Sequence, residues 1–151
     1  MNIQKPLKLL DDYTDYLVWS IATAGLFGSL YFSEVLNWYP CLLCWWQRIF
    51  MYPLVVIFAV GILRKDKNAV YYGLPLSLIG VPVSLYQSLL QWGVLHESVF
   101  NCTASSDVSC SKPQIDWLGF ITIPFMSFVA FTAISALLTW RIYRMRNLKT
   151  K

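Results

Sequence analysis

Apolar residues come in four long runs along the chain, separated by polar breaks. The first extends from about Tyr16 to Phe32, the second from about Cys41 to Leu63, the third from about Ala69 to Trp92 and the fourth from about Trp117 to Trp140. A helix needs roughly 20 apolar residues to cross the hydrocarbon core of a bilayer, and the first run sits near the short end of that requirement. The breaks differ in character. Met1 to Asp15 is polar and mixed in charge, Ser33 to Pro40 is a short loop, and Arg64-Lys65-Asp66-Lys67-Asn68 is a charged turn that forces a tight antiparallel hairpin. Gly93 to Asp116 is the longest polar stretch between runs. The pattern predicts one all-α membrane domain over residues 1–151, a bundle of four transmembrane helices, with loops at about 33–40 and 93–116 on the same side. The competing account of the first run is a cleaved signal peptide. No small-residue A-x-A-like site follows it and three more spans come later, so an uncleaved first helix is expected.

The runs are not featureless. Gly25, Gly28 and Ser29 give the first a small-residue face that suits close approach of another helix. Pro53 lies inside the second, where a membrane helix tolerates it with a kink. The third carries Ser84, Tyr86, Gln87, Ser88 and Gln91 near its far end, too many polar groups for a lipid-facing surface. They are expected to face the bundle interior, either bonding between helices or lining a cofactor site.

Composition sharpens the membrane assignment. Charged residues make up 13% of the chain, against about 25% in a typical soluble domain. The net charge of +4 is patterned. Lys5 and Lys8 precede the first span, Arg64, Lys65 and Lys67 form the middle turn, and Arg141, Arg144, Arg146, Lys149 and Lys151 close the chain. The two cysteine-bearing loops hold only Lys112, with Arg48 just inside a helix. Basic residues in short loops mark the cytoplasmic side, so both termini and the middle turn are expected there and all four cysteines outside. The tryptophans agree with an aromatic belt at each interface: Trp19 and Trp140 towards the cytoplasm, Trp38, Trp45, Trp46, Trp92 and Trp117 towards the other side. No basic face interleaved with aromatics suits nucleic acid.

The candidate chemistry is in the cysteines. They form two pairs, Cys41 with Cys44 and Cys102 with Cys110. Cys41-Leu42-Leu43-Cys44 places a C-x-x-C where a loop becomes a helix, and unpaired N–H groups at a helix start favour negative charge there. Arg48 follows Cys44 by four residues and shares its helix face. An ionisable residue at that depth is a functional-site hypothesis by default. Blander accounts exist for each part. The cysteines could be buried core residues or half of a zinc site, although a Cys₄ site usually has two compact pairs. Cys102–Cys110 could be a structural disulfide of an exported loop, and Arg48 could snorkel to the interface. His96, beside Glu97, is best explained as a solvated loop residue, and Asn101-Cys102-Thr103 matches a glycosylation pattern that matters only in a eukaryotic secretory host.

Cys41-Leu42-Leu43-Cys44-Trp45-Trp46-Gln47-Arg48 resembles the C-x-x-C-(aromatic)-x-[QE]-R signature of the DsbB family, especially its short Gram-positive-type branch, BdbC. The segment Cys110-Ser111 to Ile115-Asp116-Trp117-Leu118-Gly119-Phe120-Ile121-Thr122-Ile123-Pro124 is similar to that branch too. The resemblance covers nearly the whole chain. It implies a thiol:quinone oxidoreductase of the bacterial cytoplasmic membrane that reoxidises an extracytoplasmic thioredoxin-like thiol oxidase of the DsbA or BdbD kind. The electron acceptor would be the membrane pool of ubiquinone or menaquinone. Carried over by position, Cys41 and Cys44 would be the pair beside the quinone, Cys44 the thiolate against the ring and Arg48 the residue that binds and polarises it. Cys102 and Cys110 would exchange with the partner, with Cys102 the attacked sulfur, and the short spacing favours a direct bridge between them. Two departures stand out. Longer relatives have a histidine just after the tyrosine of span three, where this chain has Gln87 and Ser88, and Leu42 holds a position often occupied by proline. A vitamin K epoxide reductase-like enzyme uses similar logic with the cysteine pairs in the opposite order, and a non-catalytic membrane scaffold held by loop disulfides is the alternative from another class.

Overall fold

The structure is a computed structural model and describes residues 4–37, 40–95 and 122–149, with side chains from 13 to 147 within those segments. Four helices account for almost all of it: α1 (Gln4–Leu30), α2 (Leu42–Arg64), α3 (Ala69–Gln91) and α4 (Ile123–Lys149). There is no strand among the described residues. Four helical segments are long and apolar enough to cross a membrane: Tyr13–Val35, which runs from α1 through the π-helical turn after it, Leu42–Arg64, Ala69–Gln91 and Ile123–Asn147. The chain is therefore an all-α, multi-pass membrane protein with four spans. The fourth was expected at about 117–140. The described helix begins at Ile123 and carries on past Trp140 to Lys149, because Arg141, Arg144 and Arg146 are good helix formers and nothing breaks the helix before them. Residues 117–121 of that expected span lie outside the described ones.

The helices form a ring. α2 packs against α1 and α3, α3 against α4, and α4 closes back on α1. Phe58, Phe131, Leu54, Ile134 and Leu138 fill the centre and are fully buried, with Val18 and Ala22 from α1 beside them. Two glycines of α3 make the close packing possible. A Cβ on Gly73 would sit 2.6 Å from the Phe58 ring, and one on Gly80 would overlap Phe131. The outer surface is apolar, with Phe27, Val56, Leu63, Tyr72, Ile79 and Val129 exposed, while Ser77, Ser84, Gln87 and Ser88 are buried. Polar inside and apolar outside is the arrangement lipid requires, since no water satisfies polar groups at that depth. The serines meet that need within α3: Ser84 donates to the carbonyls of Gly80 and Val81, and Ser88 to that of Ser84.

The α2–α3 hairpin is tight, as the charged turn implied. Lys65 adopts a left-handed conformation (φ 53°), its N–H bonds the Ile62 carbonyl, and the Asp66 N–H bonds that of Gly61. This pairing of a left-handed residue with two back-reaching N–H groups caps the orphan carbonyls at a helix end. The Asp66 carboxylate then accepts the Asn68 N–H at 2.9 Å, and α3 starts at the next residue. At the opposite end of the ring, α1 loosens into a π-helical turn, Tyr31–Val35, with the Leu36 N–H reaching the Tyr31 carbonyl. This end also holds the start of α2 and the finish of α3, and it carries Cys41 and Cys44.

A dithiol, an amide pair and a cavity at one end of the bundle

Cys41 caps α2 in an extended conformation (ψ 170°), and its carbonyl accepts the first helical bond, from the Trp45 N–H. Cys44 lies in the first turn. Three residues of helix bring the two side chains to one face, and their Sγ atoms stand 2.9 Å apart, close enough for one thiol to donate to the other. Cys41 is buried against Leu43 and Leu90, with Val83, Tyr86 and Cys44 around them, so the pair is wedged against the last turns of α3. Trp92, just beyond α3, touches Phe125 of α4 at 5.6 Å between ring centroids and closes that side.

An amide from α3 completes the arrangement. Gln87 Nε2 lies 3.2 Å from the Sγ of Cys41 and 3.2 Å from that of Cys44. Its Oε1 accepts a hydrogen bond from Gln47 Nε2 at 2.7 Å. Both glutamines are buried. The polar groups of span three thus do face the interior, and Gln87 bonds to another helix and to the dithiol at once.

A cavity of about 370 Å³ opens beside the sulfurs, between α1, α2 and α4. Its walls are mostly apolar: Ile21 from α1, Phe32 from the π-helical turn that follows it, Met51 from α2, Met126, Ala130 and Phe131 from α4. The polar lining is small, with Cys44, Gln47 and Arg48 on one face of α2, Tyr52 one turn further along it, Ser29 opposite and Ser127 on α4. Arg48 is half-buried. It donates to the Ser29 carbonyl at 3.0 Å and stands 5.7 Å from the centre of the Trp45 ring. Cys44 and Arg48 therefore share a wall, as their four-residue spacing implied. The small-residue face of α1 has another use than the one expected of it. A Cβ on Gly28 would meet nothing within 4 Å, and one on Gly25 would meet only the Met51 side chain, at 3.4 Å. The glycines leave space where a helix was expected to approach, because they border the cavity.

Cys41, Cys44 and Arg48 are thus brought together, while Cys102 and Cys110 lie outside the described residues, as does His96. The sequence identified Gln47 only as a motif position, and Gln87 as one of five polar residues of span three expected to face the interior and as a departure from a familial histidine. An amide three residues after Cys44, and another within the polar cluster near the end of the third span, were the available signals. Their meeting depends on how α2 and α3 are rotated.

Residues 14–141 match the family described as disulfide bond formation protein DsbB. The chain belongs to that family. It is 41% identical to a probable disulfide formation protein of Deinococcus radiodurans, with 83% of this chain and 86% of the relative covered. It is 45% identical to probable disulfide formation protein C of Halalkalibacterium halodurans, over 77% of this chain and 83% of that one. A prophage-derived disulfide bond formation protein B of Bacillus subtilis is 36% identical over 88% of both chains. No solved structure gives a significant match. Membership of the DsbB family makes this a membrane oxidoreductase of disulfide bond formation.

Proposed function

We propose that the chain is a thiol:quinone oxidoreductase that reoxidises an extracytoplasmic thioredoxin-like dithiol oxidase, of the DsbA or BdbD kind, and passes the electrons to ubiquinone or menaquinone in the bacterial cytoplasmic membrane. The cavity beside the dithiol is the observation that carries the proposal: apolar walls, a single guanidinium and Cys44 in one lining. A quinone is a flat apolar ring with carbonyl oxygens at its edge, and these walls fit it. Arg48 would hold a carbonyl oxygen, with Met51, Met126 and Phe131 against the ring. When bound, the quinone supplies the oxidising power, taking up two electrons and two protons as a dithiol closes to a disulfide.

The route runs by thiol–disulfide exchange. The partner's dithiol reduces Cys102–Cys110 through a mixed disulfide, with Cys102 the attacked sulfur, and that pair reduces Cys41–Cys44 in the same way. At each exchange one S–S bond forms as another breaks. Cys41 and Cys44 would then return to the disulfide, with Arg48 and the apolar walls holding the quinone that would supply the two-electron acceptor. The distribution of basic residues supports an outward-facing site, since the loops next to the cysteines hold only Lys112.

The test is reconstitution. Purified protein with a reduced thioredoxin-like oxidase should oxidise it only when quinone is supplied, and Cys41→Ser should abolish quinone-dependent turnover. Cys110→Ser should hold the partner on Cys102 as a mixed disulfide visible on a non-reducing gel. No partner oxidation even with quinone supplied would support a non-catalytic scaffold with structural disulfides instead, and unchanged turnover in Cys41→Ser would take the Cys41–Cys44 pair out of the route.

A further inference from the structure

The dithiol has an unusual neighbour for a membrane interior: a neutral amide aimed at both sulfurs at once. A primary amide offers two N–H donors and one carbonyl acceptor. In Gln87 the carbonyl is occupied by Gln47 Nε2 at 2.7 Å, which turns the NH₂ group towards Cys41 and Cys44, each 3.2 Å away. Gln87 is 1% exposed and Gln47 6%, so water does not compete for either amide.

Exchange chemistry gives that donor a purpose. When an incoming thiolate opens a Cys41–Cys44 disulfide, one S–S bond forms, another breaks and the negative charge moves to the expelled sulfur. Whichever cysteine is expelled, the amide stands at hydrogen-bond distance from it. A neutral sulfur is a weak acceptor, whereas a bond to an ionised group is about twice as strong. The contact therefore favours the opened form over the closed one. Serving both sulfurs, it serves the pair in either direction of exchange. Arg48, the described charge on this wall of the cavity, is engaged by the Ser29 carbonyl.

We infer that Gln87 is a catalytic hydrogen-bond donor to the Cys41–Cys44 pair and that Gln47 is the residue that positions it, so that this amide pair sets how readily the disulfide opens. The inference rests on the redox activity of Cys41 and Cys44 proposed above.

It is tested on the full chain in detergent with Cys102→Ser and Cys110→Ser, so that one pair titrates. The fraction reduced is read by maleimide gel shift across ratios of oxidised to reduced dithiothreitol. Thermal unfolding is followed alongside. Gln87→Met keeps the length of the side chain and removes the donor. At a pH high enough for the reduced pair to carry a thiolate, it should move the equilibrium about tenfold towards the disulfide, the size expected for losing one hydrogen bond to a charged group. It should also lower the melting temperature, because Gln47 is left facing an apolar group. The double variant Gln47→Met/Gln87→Met replaces both partners with apolar groups of similar shape, so its stability should recover while the equilibrium stays shifted. Gln47→Met alone should give a smaller shift of the same sign. A double variant that regains both the stability and the parent's equilibrium would show that the amides only pack, and would overturn the inference while leaving the proposed function standing. A pair that never closes to a disulfide, even in the parent, would overturn both.

Discussion

Within α2 the only charge ahead of its terminal Arg64 is Arg48. A guanidinium held part-way into a bilayer keeps its cost down by finding acceptors, and here it has the Ser29 carbonyl and the face of Trp45. Neither contact uses up its five donors. Arg48→Ala should therefore raise the quinone concentration for half-maximal turnover by about tenfold or more, the size of a lost charge-assisted hydrogen bond. Capture of the partner by Cys110→Ser should be unchanged in the same background, as read by a mixed-disulfide gel. Gly28 gives the complementary test from the opposite wall. Because a Cβ there meets nothing within 4 Å, Gly28→Leu should raise the melting temperature slightly, as leucine is favoured over glycine in a helix by about 0.8 kcal/mol. The same leucine would fill space beside Arg48, so quinone turnover should fall. A variant that is less stable, or one that turns over quinone normally, would remove Gly28 from the cavity wall.

Among the elements, α2 was the most legible in sequence and α1 the least. The α2 signals are local: the spacing of Cys41 and Cys44 fixes their common face, and Arg48 follows one turn on whatever the neighbouring helices do. The hairpin was equally local, since five polar residues between two apolar runs leave room only for a capped turn. What sequence could not supply was rotation about a helix axis and the width of the gaps between helices. Gly25, Gly28 and Ser29 have the composition of a packing face and serve instead as the edge of a space. Gln87 is one of several polar residues near the end of α3, and nothing local distinguishes it from Ser84 or Ser88, which bond their own helix. The hairpin makes a prediction at this scale. In a chain without its native cysteines, a cysteine placed at Lys67 should react with a membrane-impermeant maleimide only from the cytoplasmic side. Labelling from outside would invert the topology and remove the dithiol from the oxidising compartment.

Seen as a whole, the bundle is held apart at one end and pinned at the other. At the thiol end the cavity separates α1 from α4, between Ile21–Phe32 and Ile123–Phe131. At the opposite end Asp15 of α1 pairs with Arg141 of α4, both buried. Their positions in the sequence suggested a polar leader and a basic tail, because charge alone does not reveal that α1 and α4 continue as helices beyond their apolar runs and bring these two residues together. Among the described helices α1 touches only α2 and α4 substantially, so the ion pair is a principal tie on the side where the cavity weakens packing. Desolvating two charges is costly, and replacing Arg141 takes from the buried Asp15 carboxylate the cation paired with it. Arg141→Leu should therefore lower stability by about 3–5 kcal/mol, and Asp15→Ala should lower it too. The double variant Asp15→Leu/Arg141→Leu removes both charges and should recover most of that loss, since apolar replacements of buried pairs are often neutral. Unfolding in mixed micelles at increasing denaturing detergent measures all three. A single-variant loss below about 1 kcal/mol, as for a solvent-exposed pair, would mean that the tie contributes little and that α1 is held by its apolar face alone. If the clamp does hold α1 at the gap's far end, the single variants should also bind quinone more weakly at temperatures well below their unfolding, because the cavity would lose its fixed width before the bundle comes apart.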